Sequence, residues 1–336
     1  MAVGFRRNAV GAPSRQTVNS VGGRERAGDV RVGGRLWTLD GDRTVRTTVV
    51  GVSAVKARDA VDVVTGHTTF TVSPDQLLGT PDGWVHARDA IGTVLAWTHA
   101  RKLCRERLTI RPGYDFGYFV GATCADGTVG TNYVSLVVND EAFAAKYARS
   151  LKAATGLRAR LEAVSRPSGY LGRQVPGFRV RIVSSYLADA MRQYTGGDAH
   201  HMRQRFPRVV LRDRGVFDGF LDGYADGDGC RSKTWAGRVL VSANVGFLTE
   251  LAQVIGARFT PRPRGIASHL VVIDNWAARG TFRPERHAVQ PMESTWVEVG
   301  DVRERTAGAK PFTFYDYRLD PYPTFLINGH LVRQMW

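Results

Sequence analysis

Two stretches of the chain, GYFVGATCADG (117–127) and GFLDGYADGDG (219–229), align at a constant offset of 102 residues. Gly117 matches Gly219, Gly121 matches Gly223, Asp126 matches Asp228 and Gly127 matches Gly229, with aromatic or Leu residues in register between them. The apolar spacing predicts a helix in each copy, ended by glycine. Glycines four apart lie on one helix face and, having no side chain, let another backbone come close. Two such helices can pack on each other and tie together regions distant in sequence.

The aspartate closing each copy sits where helix carbonyls are unpaired and the dipole is negative, a position that disfavours a carboxylate. One such stretch reads equally as a helix-ending turn with a solvated aspartate. Two copies in matching contexts point to function. With the helices side by side, Asp126 and Asp228 make a cluster of hard oxygen ligands suited to Mg²⁺.

The contexts do match. After the first copy come strand YVSLVVND, helix EAFAAKYARSLKAATG, strands LRARLEAV and FRVRIVSS, and helix SYLADAMRQYTGG. After the second come RVLVSAN, helix VGFLTELAQVIG, then ARFTPRP and SHLVVID as strands. The middle of the chain, 98–288, thus reads as two αββαββ-like halves, about 98–205 and 206–288. The flanks at 35–97 and 289–336 are Val/Thr- and Tyr/Phe-rich, broken by turn residues, and read as all-β. Residues 1–34 read as a basic flexible arm, its charge carried by Arg6, Arg7, Arg15, Arg24, Arg26, Arg31 and the adjoining Arg35, which either extends a nucleic-acid footprint or has no target.

Charge narrows the partner. The formal charge is +15, and only six of the 46 basic residues are Lys, so guanidinium carries the excess. Guanidinium favours bidentate contact with phosphate and guanine, and double-stranded DNA is the expected partner. The longest apolar runs, at 136–138 and 270–273, are strand-sized, which argues against a membrane partner. The N-terminus lacks the apolar core of a secretory signal, so a cytoplasmic, nucleoid-associated location is expected. Cys104, Cys124 and Cys230 lack paired spacing and read as reduced thiols.

The motif pair resembles the two signature helices of LAGLIDADG homing endonucleases, with LDGYADGDG (221–229) a close match and FVGATCADG (119–127) a looser one. The resemblance implies an α+β fold of tandem αββαββα halves, a saddle of antiparallel strands over the DNA major groove, and metal-dependent hydrolysis of both strands by a monomer. Arg158, Arg160, Arg179 and Arg181 alternate with apolar residues, as such a saddle requires. Arg203, Arg205, Arg238, Arg258, Arg262 and Arg264 are further candidates for DNA contact. The family often holds a basic residue before a proline turn; here Gln204 and Thr281 take those places.

The flanks resemble an intein splicing (Hint) domain into which the nuclease is inserted. FTVSPDQLLGTPDGWVHARDAIG (70–92) is similar to the block containing Thr-x-x-His, and FYDYRLDPYPTFLINGHLV (314–332) to the last strands. Ser73 and Gln76 replace the Thr and His, and Arg333 and Gln334 replace the terminal His-Asn. Without a His to polarise the amide or an Asn to cyclise, the chain is expected to be free-standing and unable to splice. His67 and His86 receive no role. The expected activity is site-specific DNA cleavage; the alternative is a DNA-binding maturase or regulator derived from such a nuclease.

Overall fold

The structure, a computed structural model, describes residues 9–41, 43–98, 108–168, 172–263, 265–279, 281–290 and 295–335. They separate into two compact units. One comes from both ends of the chain, within 1–106 and 292–336, and one from the middle, within 107–291.

The outer unit begins with β1 (Ala12–Pro13), β2 (Thr17–Ser20), β3 (Gly23–Arg26), β4 (Arg35–Asp40), β5 (Arg43–Ala57), β6 (Asp59–Thr65), β7 (Thr69–Val72), β8 (Leu77–Thr80), β9 (Gly83–His86) and β10 (Val94–Ala96). In the middle unit, the first motif copy forms α1 (Tyr114–Asp126), followed by β11 (Gly127–Val129), β12 (Tyr133–Val138), α2 (Glu141–Thr155), β13 (Arg160–Ser168), β14 (Arg173–Val183) and α3 (Ser185–Tyr194). The second forms α4 (Arg214–Asp228), followed by β15 (Gly229–Arg231), β16 (Gly237–Ser242), α5 (Val245–Ile255) and β17 (Ser268–Ile273). The chain returns to the outer unit as β18 (Trp296–Thr306), β19 (Phe312–Asp320), β20 (Thr324–Ile327) and β21 (His330–Arg333).

In the outer unit the last strands are interleaved with the first. One sheet runs β1-β19-β5-β4-β2-β20-β21-β8-β9 with β3 on β2, and the other β10-β18-β6-β7. Neither end of the chain can bury its apolar faces without the other.

Three expectations from sequence are corrected here. Much of 1–34 is not a flexible arm: β1, β2 and β3 lie in the sheet, and Ala12, Val18, Ala27 and Val30 are fully buried in its core. These strands are two to four residues long, and each puts few side chains inward, too few for a period to show. Arg15, Arg26, Arg31 and Arg35 remain exposed; Arg6 and Arg7 lie outside the described residues. The middle unit also runs past 288: Val289 joins its core, and Gln290 bonds Ile110 O at 2.9 Å and Tyr186 Oη at 3.0 Å. Finally, 257–263 forms no strand among the described residues. Pro261 and Pro263 lack the N–H groups a ladder needs. The first half has the four-stranded sheet β11-β12-β14-β13, and the second only β15-β16-β17.

Both sheets of the middle unit pack one face on the helices. Val134, Leu136 and Val180 of the first sheet, and Leu240, Leu270 and Val272 of the second, are buried in one core with α1 and α4. Side-chain caps fix the helix starts: Asp213 accepts from Val216 N at the head of α4, and Asn244 from Phe247 N at the head of α5.

Candidate functional site

Helices α1 and α4 meet through their glycines. A Cβ placed on Gly117 would lie 1.8 Å from Val216 O, and one on Gly121 2.1 Å from Phe220 O. The contact is reciprocal, with Gly219 2.1 Å from Tyr114 O and Gly223 2.2 Å from Tyr118 O by the same measure. Backbone lies against backbone at each of these positions, so no other residue fits without parting the helices.

This crossing brings the helix ends together. A Cβ on Gly227 would stand 3.2 Å from Asp126 Oδ2, which places the Asp126 carboxylate against the last turn of α4. Asp126 is exposed and Asp228 half-buried. Burial, and then the charge of Asp126, push the Asp228 carboxyl up to about 6. A carboxylate whose proton affinity is raised by a neighbouring carboxylate favours a divalent cation beside it. Among the described residues no group of three or more His, Cys, Asp or Glu converges. A cation here would draw its other ligands from water and phosphate, as Mg²⁺ commonly does.

Sequence reading missed the polar edge of the crossing. Tyr114 Oη donates to Asp222 Oδ2 and Tyr118 Oη to Asp226 Oδ2, each at 2.7 Å. Lys146 on α2 reaches Asp226 Oδ2 at 2.9 Å while lying 4.1 Å from the Tyr118 ring centre. Burial, and then the hydrogen bond to Asp226, raise the Tyr118 phenol, which keeps it a donor. The signal was present, because both the tyrosines and the aspartates are four apart. At the repeat-equivalent positions stand Val216, Phe220, Val120 and Cys124, all buried, so the opposite edge is apolar.

The predicted arginines divide. Arg160, Arg179 and Arg181 share the outer face of the first sheet, but Glu162 lies between the first two, 2.9 Å from Arg160 Nε and 2.6 Å from Arg179 Nε. Arg181 stacks 4.0 Å above Tyr133, and Arg158 is exposed just before β13. Arg203 is exposed and pairs with Asp198 at 2.7 Å; Arg205, Arg258 and Arg262 are exposed. Arg238 is not available to DNA. It alternates inward on β16, is 6% exposed, and is ion-paired with Asp222 and, at 3.2 Å, with Asp274. Arg264 lies outside the described residues.

Gln204 is buried, and its Nε2 donates to Cys124 O in the last turn of α1 at 2.7 Å. It satisfies a helix-end carbonyl instead of facing the carboxylates. Thr281 bonds Val254 O at 3.1 Å in the last turn of α5. Cys124 and Cys230 are free thiols, and burial raises that of Cys124; Cys104 lies outside the described residues.

In the outer unit, Ser73 and Gln76 bond Gly11, and Gln76 links it to Arg333. Gln76 is fully buried: its Oε1 accepts from Gly11 N at 2.9 Å, and its Nε2 donates to Arg333 O at 2.6 Å. Ser73 N donates to Gly11 O at 3.0 Å. Gln334 Oε1 accepts from Leu319 N at 2.6 Å, so this side chain clamps the chain end to β19. His86 Nδ1 lies 3.0 Å from Asp75 O, and buried His67 lies against Trp97. Beside the cluster stands Asp316, unremarked in the sequence, whose Oδ2 accepts from Met335 N at 3.0 Å. Burial pushes its carboxyl up to about 6.

Because the folded value of Asp316 lies above the unfolded one, its contribution to stability is present below about pH 4 and lost as pH rises through about 6. Asp316→Asn is therefore expected to raise the melting temperature of the outer unit at pH 8 and leave it little changed at pH 4. Calorimetry at the two pH values checks this; an equal effect at both would remove the buried charge as the cause.

No family model matches the sequence, and no curated protein matches it. Solved structures do show similarity. A crystal structure of the Ssp DnaB mini-intein is 14% identical, with 28% of this chain and 64% of that chain covered and a TM-score of 0.26. The MchDnaB-1 intein is 22% identical, covering 24% of this chain and 60% of its own, at 0.21. The homing endonuclease I-WcaI, bound to its DNA recognition sequence, is 10% identical, covering 47% of this chain and 75% of its own, at 0.35. The chain spans just under two thirds of the length of the mini-inteins it matches. No helix among the described residues is long and apolar enough to cross a membrane.

Proposed function

We propose that the middle unit is a LAGLIDADG-type, site-specific endonuclease acting on double-stranded DNA, carried within a Hint-like outer unit that does not splice. The observation that carries this reading is the reciprocal glycine crossing of α1 and α4, with Asp126 and Asp228 at its joined ends. Both carboxylates come from one chain, so a monomer supplies the whole site.

Asp126 and Asp228 fit a hard divalent cation such as Mg²⁺ and would hold it by their carboxylate oxygens. When bound, such an ion polarises the scissile phosphate and lowers the pKa of a coordinated water. The chain's own residues do the rest. The glycine crossing fixes the spacing of the two carboxylates, and exposed Arg158, Arg181 and Arg203 offer positive charge to phosphates and bases. In the outer unit, Gln76 holds Gly11 and Arg333 O through an amide that cannot shuttle a proton near neutral pH.

Incubation of the full chain with a randomised duplex library in Mg²⁺, followed by sequencing of cut ends, tests the reading. A recurrent cut site lost on chelation supports it, and an uncut library sinks it. One observation favours a second reading, a DNA-binding maturase or regulator: Gln204 occupies the usual basic position yet is buried against α1. That reading expects a selected binding site with no cut.

Either reading expects affinity that falls steeply with salt, because an excess of +15 implies release of many counterions. With about six phosphates neutralised, the loss between 50 and 200 mM salt is on the order of a thousandfold. Fluorescence anisotropy across that range measures the slope, and a flat line would exclude DNA as the partner.

A further inference from the structure

We propose that Lys146 is a positioning residue: through Asp226 it holds the last turn of α4, and with it the Asp228 carboxylate, whereas Asp126 is held by other contacts. This rests on the reading of the middle unit as an endonuclease.

The motif copies repeat in sequence, but the polar edge of their crossing does not. At the offset of 102 residues, Tyr118 and Asp226 correspond to Phe220 and Cys124, both buried. The cation beside them is equally one-sided. Asp140 caps α2 by accepting from Phe143 N, and Asn244 caps α5 by accepting from Phe247 N. Six residues past its cap, α2 carries Lys146 where α5 carries Glu250. The last turns differ as well. α4 ends Asp226-Gly227-Asp228, and α1 ends Cys124-Ala125-Asp126. Glycine weakens a helical turn relative to alanine, and the carbonyls of a last turn have no intrahelical donors, so the end of α4 is the more prone to fray.

Asp226 is where that end is tied down. Its Oδ2 accepts from Tyr118 Oη of α1 at 2.7 Å and from Lys146 Nζ of α2 at 2.9 Å. Lys146 Nζ also stands 4.1 Å from the centre of the Tyr118 ring, so the aromatic face helps to hold the ammonium. The root of the lysine is fixed, because Phe143, Ala144 and Tyr147 of α2 are buried in the core. The end of α1 has different anchors: Gln204 Nε2 donates to Cys124 O at 2.7 Å, and Thr123 Oγ1 lies 3.0 Å from Tyr147 Oη. Loss of Lys146 therefore loosens one carboxylate and spares the other. The side chains of the pair are 35% and 26% exposed, and an ion pair so placed adds little to global stability, which makes its effect a local one.

In the full-length protein, Lys146→Met keeps the aliphatic stem and removes the ammonium. Amides of residues 225–229 should then exchange with deuterium about fivefold faster, as far as a part-exposed ion pair can shift a local opening, while those of 123–127 stay unchanged. On the site that the wild type selects in Mg²⁺, with each strand labelled, single-turnover cleavage should slow about tenfold more on one strand than on the other, so that nicked duplex accumulates. Lys146→Arg, able to bond Asp226 and stack on Tyr118, should restore both readouts. Equal slowing of the two strands, or exchange that rises alike at 123–127 and 225–229, would make Lys146 a general stabiliser and overturn the proposal. Unchanged exchange at 225–229 would overturn it too. A wild type that cuts no duplex sinks the endonuclease reading, and the exchange measurement alone then supports or overturns the hold of Lys146 on the last turn of α4.

Discussion

Gly121→Leu and Gly223→Leu should each abolish the cooperative unfolding transition of the middle unit or lower its midpoint by more than about 10 °C. At both positions even a Cβ meets a main-chain carbonyl oxygen of the other helix, at 2.1 and 2.2 Å. Backbone cannot rotate away as a side chain can, so the helices must part. Overpacking a tight core costs about 1–3 kcal/mol where side chains can yield, and more where they cannot. In a unit of this size each kcal/mol lowers the midpoint by about 2–4 °C. Gly308→Ala, where an added Cβ meets nothing within 4 Å, is the control and should be near neutral. Calorimetry of the three variants decides it, and wild-type stability in Gly121→Leu would mean that α1 and α4 do not cross there in solution.

Asp126→Asn and Asp228→Asn should each reduce double-strand cleavage by at least about a thousandfold while leaving DNA affinity within about threefold of wild type. On the proposed reading each removes a charged oxygen from the cation site but little of the surface that would meet phosphates, which positions a duplex without doing chemistry. Single-turnover cleavage and anisotropy on the same duplex separate the two effects. Full-rate cutting of both strands by either variant would take that residue out of the site. Loss of binding together with cutting would move it into the recognition surface.

The helix crossing was legible because glycine spacing is a direct record of close backbone approach, and the duplication supplied both partners. The Asp126–Asp228 neighbourhood followed from the same alignment. What the sequence hid was direction. Arg238 looks like its neighbours on any alternating pattern, yet its strand parity turns it inward, and only the distant Asp222 and Asp274 make that burial tolerable. Gln204 likewise reads as a lost basic group, when its amide is satisfying a carbonyl of α1. The strands of the first thirty or so residues were missed for another reason. Their core contribution is a few isolated side chains, and although β2 ladders locally with β3 and β4, β1 is paired with β19 and β2 also with β20, about 300 residues later.

The interleaving of the outer sheet also bears on the order in which the molecule forms. β1 pairs with β19 and β2, besides its local ladder with β3, with β20, so during synthesis these two pairings wait until nearly the whole chain has emerged. The middle unit has every strand partner within its own sequence and can finish first. Joining the outer segments then means closing one very long loop, but loop entropy grows only logarithmically, and a folded middle unit shortens the span to the gap between its own ends. Within the middle unit, Gln290 bonded to Ile110 O at 2.9 Å holds its first and last described segments together and so keeps that gap short.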